Sequence, residues 1–192
     1  MRHNRFLLLP LLVMMLGLVA NAGQVLTFDE LPSVNCCYLV PDGYFGMNWA
    51  NMYYLNAPNY YGNPSGYLNG MISSPNVAFN GSGTPAEMYA ATPFHMIGSY
   101  FTAAWWDESV EIKGYLAGNL VFDDSFAILY AGPIWHDFGG AYVDKVWFYS
   151  LGGSQMAIDN LTVNAIPEPG TLLMLGTGLL GTLGIIRRKI NL

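Results

Sequence analysis

Four kinds of side chain in this 192-residue sequence could do chemistry: histidines, neighbouring carboxylates, an adjacent cysteine pair and tryptophans. His95 and His136 are the only histidines beyond the N-terminal segment. Neither lies in a Gly-x-Ser-x-Gly or His-Glu-x-x-His frame, so no nucleophilic triad or zinc-protease site is readable. A glycosidase needs two carboxylates facing one bond, and that pairing is spatial. Asp107, Glu108, Asp123 and Asp124 are the available acids, but they fall in apparent turns, where solvated acids are ordinary. The sequence therefore points to a protein that is not an enzyme. Cys36 and Cys37 are the only cysteines, too few and too close for a zinc site. Three states are open to them: a vicinal disulfide, a link between two chains, or a reduced buried pair. Trp49, Trp105, Trp106 and Trp135 can stack on sugar rings or fill a core. Trp105 and Trp106 are neighbours, so on a strand they point to opposite sides and at most one faces outward.

The elements that must hold these residues read as strands. Gln24 to Phe28 is a strand by composition, ended by Asp29-Glu30-Leu31-Pro32. Residues 42–70 are rich in Gly, Asn, Pro and Tyr, which predicts long loops with short strands between them. Asn80 to Pro85 is a further turn. Phe94 to Ala104 is a long strand. Ser109 to Leu116 alternates apolar and polar, as a half-buried strand does. Leu120–Phe122, Phe126–Tyr130, Tyr142–Tyr149 and Gln155–Val163 complete the set. No amphipathic helical window and no internal repeat is present. The expected fold class is all-β, an antiparallel β-sandwich.

Charge narrows the partners. From Gly23 to Pro169 only Lys113 and Lys145 stand against all thirteen acidic side chains, a formal charge of −11. Such a domain repels phosphate backbones, so no nucleic acid is expected. The other five basic residues are Arg2, Arg5, Arg187, Arg188 and Lys189, and they frame the two ends.

Residues 1–22 read as a signal peptide, calling for the Sec translocon and signal peptidase. Arg2 and Arg5 precede the apolar run Phe6–Val19, and Ala20-Asn21-Ala22 is a small-x-small cleavage site. The mature β-domain then spans residues 23–165. Residues 166–192 have three parts. Pro167-Glu168-Pro169 is a stiff spacer, because proline fixes φ and extends the residue before it. Residues 170–186 are uncharged and would span about 25 Å as a helix, the lower limit for a transmembrane helix. Gly176, Gly178, Gly181 and Gly184 suit a membrane helix better than a soluble one. Arg187, Arg188 and Lys189 keep the far end cytoplasmic, which places the preceding chain outside.

This order of parts resembles the PEP-CTERM sorting signal of Gram-negative bacteria, with Ile166 where Val is more usual. The resemblance implies recognition by exosortase, a membrane-embedded cysteine transpeptidase-like enzyme, and cleavage near Pro-Glu-Pro. It implies a transient inner-membrane anchor, then release to the cell surface or extracellular matrix. The role expected there is structural or adhesive, in association with exopolysaccharide.

The second half more loosely resembles the jelly-roll sandwiches common among such proteins and kin to galactose-binding-like carbohydrate modules. The segments that carry this are Tyr100–Asp107, Val110–Tyr115, Val143–Phe148 and Ala157–Val163. In those sandwiches the first and last strands often lie together, and carboxylates there bind a structural Ca²⁺. The resemblance thus implies a calcium site at Asp29, Glu30 and Asp159, since Ca²⁺ takes six to eight oxygen ligands. Sugar stacking is expected of Trp105, Trp106 or Trp135 where the ring is exposed.

Overall fold

The computed structural model describes residues 23–164. The expected signal peptide, Pro-Glu-Pro spacer, apolar span and basic tail lie outside the described residues. Ten strands form one antiparallel network: β1 Gly23–Leu26, β2 Tyr38–Leu39, β3 Asn48–Ala50, β4 Met52–Asn56, β5 Asn76–Asn80, β6 Ala86–Ala103, β7 Glu108–Leu116, β8 Asn119–Ile128, β9 Ile134–Ser150 and β10 Met156–Asn164. Their order is β2-β4-β5-β10-β6-β9-β7-β8, with β1 added on β10 and β3 on β6. The one α-helical turn among the described residues is Gly66–Asn69 (α1). Among the described residues no helix is long and apolar enough to cross a membrane.

Two long strands fold this network into two layers. The first part of β6 pairs with β3 and with the last part of β9; its second part pairs with β10 and the first part of β9. Pairing with β9 is interrupted between Tyr89 and Phe94, where Pro93 has no N–H to give. The strand therefore starts earlier than the sequence suggests: Ala86–Tyr89 is hidden behind a proline that reads as a boundary. Strand β8 also runs unbroken through Asp123 and Asp124, because Lys113 and Ile112 pair with them across the ladder.

The inward faces of the layers meet in one core. Val110, Ile112, Val146 and Phe148 on one side pack with Phe101, Ile158, Leu161 and Val163 on the other, all at most 1 % exposed. Each such side chain contributes about 1.5–3 kcal/mol by leaving water. A smaller core lies on the outer face of β5 and β10, where Tyr67, Val77, Phe79 and Ala157 pack together beneath the 57–75 segment. That segment closes at Gly66. Its N–H donates to Ala104 O at 2.8 Å, and a Cβ there would lie only 1.7 Å from Ala103 O.

Candidate functional site

Strand β10 carries a bulge that sets the chemistry of its outer face. Met156 and Ile158 point into the main core, as do Leu161 and Val163. Strict alternation would turn Leu161 outward. The register shift between Asp159 and Thr162, with Asn160 in left-handed backbone (φ 50°), absorbs one residue and restores the inward set. Asp159, buried, is left aiming at the covering segment.

Its carboxylate accepts four hydrogen bonds. Oδ2 accepts from Ile72 N at 2.6 Å and Ser73 N at 2.9 Å; Oδ1 accepts from Ser73 Oγ at 3.0 Å and Asn160 N at 2.7 Å. Burial pushes this carboxyl up to about 6, against the pull of the donors. Asp29 holds the other end of the same segment, accepting from Asn76 N at 2.8 Å. Glu30 turns to Tyr44, whose hydroxyl donates to it at 2.8 Å. The three carboxylates named from sequence are thus placed as loop anchors. No group of three or more His, Cys, Asp or Glu gathers as a cation cage among the described residues.

The tryptophans divide differently from the sequence expectation. Trp49 is buried against Phe28 and Tyr44. Trp105 and Trp106 both reach solvent, at 36 % and 55 % exposure. The rule that one of them must face inward fails because β6 ends at Ala103, and both residues sit in the bend before β7. Trp105 is fixed by its Nε1, which donates to Gln155 Oε1 at 2.7 Å, and by edge contact with Tyr67. Trp135 on β9 is 43 % exposed and lies over the backbone of Gly98. A Cβ on Gly98 would come within 2.3 Å of the indole. Tyr100 meets the same indole edge-on at 5.1 Å.

The remaining reactive groups have local partners. Cys36 and Cys37 are bonded to each other. His95 Nδ1 lies 2.7 Å from Gly140 O. His136 stacks on Phe126 and lies 2.9 Å from Asp124. Asp107 accepts from Tyr130 N. Burial pushes the Glu108 carboxyl up, although Ser154 N donates to it.

Sequence reasoning missed Tyr100 as Trp135's partner, and it missed Trp147 and Tyr149 altogether. The signal for the latter two was present: Lys145-Val146-Trp147-Phe148-Tyr149 alternates, with Val146 and Phe148 fully buried and the other three on the outer face.

Residues 165–189 match the PEP-CTERM protein-sorting motif. The motif implies an exported protein that is processed by exosortase and sorted to the cell surface. No curated protein matches the chain in sequence. Among solved structures, a DUF4465 family protein from Bacteroides caccae is similar at 17% identity and a TM-score of 0.50, covering 76% of this chain and 93% of that one. That likeness is one of fold. Also similar are CBM51 from Clostridium perfringens GH95, solved with methyl-galactose (10% identity, TM-score 0.35, 73% of this chain and 100% of that one), and the family 32 CBM from C. perfringens NanJ, solved with galactose (12%, 0.32, 74% and 91%).

Proposed function

We propose that this chain is a non-enzymatic surface or matrix protein whose β-sandwich takes a structural or adhesive role in exopolysaccharide. The observation that carries the reading is the sorting motif at residues 165–189. Export through the Sec translocon follows from residues 1–22, with signal peptidase cutting after Ala22. Residues 170–186 then hold the protein in the inner membrane, with Arg187, Arg188 and Lys189 inside. Exosortase cuts near Pro167-Glu168-Pro169 and releases the sandwich. Replacing all three of these residues by Ala should leave full-length protein in the inner membrane, while the wild type appears in the surface and medium fractions. Wild-type protein with an intact C-terminus, found only in the inner membrane, would refute the sorting half of the proposal.

A second reading is favoured by the exposed indoles: the sandwich acts as a carbohydrate-binding module. Trp135, supported by Tyr100 and seated on Gly98, presents one face to solvent. Trp105 and Trp106 present two more rings at the β6–β7 bend. A glycan array with wild type, Trp135→Ala and Trp106→Ala tests this. Binding lost in either variant supports it, and a flat wild-type array sinks it.

A further inference from the structure

Lys113 and Lys145 are the only Lys or Arg residues between 23 and 164, and both stand on one outer sheet face. The ladder fixes that placement. Strand β9 is flanked by β6 and β7, and β7 by β8. In this register Glu87, Trp147, Lys113 and Asp123 form a row straight across four strands. Tyr149 stands beside this row opposite Glu111. In the next row, Lys145 lies between Tyr89 and Tyr115. The inward neighbours Ile112, Val146 and Phe148 are fully buried, so the face is held rigidly from beneath.

Rings and charges are combined here in a particular way. The Trp147 and Tyr149 rings lie 5.2 Å apart, tilted by 38°. Trp147 and Tyr149 are half-buried, with Lys113 Nζ over the Trp147 ring at 5.7 Å and Lys145 Nζ over the Tyr115 ring at 5.1 Å, so a sugar stacking on Trp147 takes the place of the Lys113 ammonium. Lys113 also reaches Glu111 at 3.2 Å and Asp123 at 3.3 Å, and Lys145 reaches Glu87 at 3.5 Å. Two cations therefore face three carboxylates, and the face carries a slight net negative charge.

We propose that this face is a second glycan-binding platform, whose ligand is a neutral hexopyranose chain stacked on Trp147 and Tyr149. The chemistry of the row matches that ligand. A pyranose offers an apolar C–H face to an aromatic ring and a rim of hydroxyls to its sides. The Glu111–Lys113–Asp123 group alternates acceptor, donor and acceptor along that rim. An acidic polymer is disfavoured, because each lysine is already neutralised and the domain around it is strongly anionic. This inference rests on the reading that the sandwich engages polysaccharide, but it assigns the binding to different residues from Trp105, Trp106 and Trp135.

Affinity gel electrophoresis of the full chain in neutral detergent tests the platform. The gels contain a β-glucan, a galactomannan or a dextran, with alginate as the anionic comparison. The expected result is retardation by at least one neutral polysaccharide, insensitive to added salt. Trp147→Ala should weaken it at least tenfold, Lys113→Gln should weaken it less, and Trp147→Phe should restore part of it. Trp135→Ala is measured alongside to separate the two sets of rings, and Tyr38→Ala, exposed on β2, should leave retardation unchanged. Near-UV circular dichroism checks each variant's fold, and Tyr149→Ala replaces Trp147→Ala if that variant does not fold. The platform is overturned if no neutral polysaccharide retards the chain, or if only alginate does and salt abolishes the effect. It is also overturned if folded Trp147→Ala is retarded like the wild type. If retardation instead disappears in Trp135→Ala alone, the platform is wrong while the broader carbohydrate-binding reading stands.

Discussion

Gly23, the first residue of β1, lies directly opposite Asn164, the last residue of β10. The first and last described residues therefore stand side by side at one end of one ladder. At the other end of β10, Gln155 O accepts from Ala104 N, beside Trp105. Nine strand residues at about 3.3 Å each separate the ends by roughly 30 Å. A chain tethered through its C-terminus would present Trp105 and Trp106 at the far pole.

Because β1 contributes the fully buried Leu26 to the core, the released protein should begin at Gly23. Its other end should fall near Pro167–Gly170. Intact-mass measurement on protein from the medium checks both ends. A species starting after Leu26 would lack β1 and would contradict the strand pairing.

The 72–76 segment hangs on two carboxylates, so its anchors should be separable by mutation. Asp159→Ala removes the acceptor of Ile72 N and Ser73 N and should cost about 2–3 kcal/mol. Its amides should then exchange hydrogen faster than those of the sheet. Urea unfolding and hydrogen exchange together check this. Unchanged protection at Ile72 and Ser73 would show that the smaller core alone holds the segment.

The same geometry bears on calcium. All four hydrogen bonds to Asp159 come from N–H or O–H donors, whose positive ends face the space a cation would enter. Binding there would require the donors to leave. The expected outcome is that neither millimolar Ca²⁺ nor a chelator shifts the melting temperature, since only a ligand of the folded state raises it. A concentration-dependent rise with Ca²⁺ would restore the Asp29–Glu30–Asp159 site in a rearranged form.

Gly98 should govern Trp135 without touching ligand itself. Gly98→Ala places a methyl group against the indole and displaces it from its seat. If Trp135 is a sugar-stacking residue, Gly98→Ala should weaken glycan binding nearly as much as Trp135→Ala. Fluorescence of the Trp135 region in the two variants, alongside array binding, checks this. Full binding by a folded Gly98→Ala chain would remove Trp135 from the ligand face.

Much of the strand pattern was legible because alternation is a local signal. Val110 to Gly114 and Lys145 to Tyr149 show it plainly, and both are strands. What stayed hidden depends on distant partners. Met52–Asn56 and Asn76–Asn80 look like loop sequence, since β5 is buried on both faces and does not alternate. The first stretch of β6 was masked by Pro93, which the ladder accommodates as an interruption. The role of Asp159 was illegible for a similar reason: its partners Ile72 and Ser73 lie 87 and 86 positions away. Adjacent Trp105 and Trp106 misled because strand alternation does not carry into the bend that begins after Ala103.

Asp159 also gives the domain a defined pH dependence. Burial raises its folded-state value to about 6, from 3.8 for an ordinary carboxyl. Between those values the folded protein holds a proton that the unfolded chain has released. Stability from this group is therefore fully present below about 4 and is lost as pH rises toward 6. At 1.36 kcal/mol per unit, the loss is bounded at roughly 3 kcal/mol. Protonation keeps the local bonds, because the Ser73 hydroxyl can turn and accept from Oδ1, which it faces at 3.0 Å. Urea unfolding of wild type and Asp159→Asn from pH 4 to 7 isolates the effect. The wild type's advantage over the variant should shrink as pH rises through the window. An advantage that instead grows with pH would mean that the four donors outweigh burial and hold the carboxyl low.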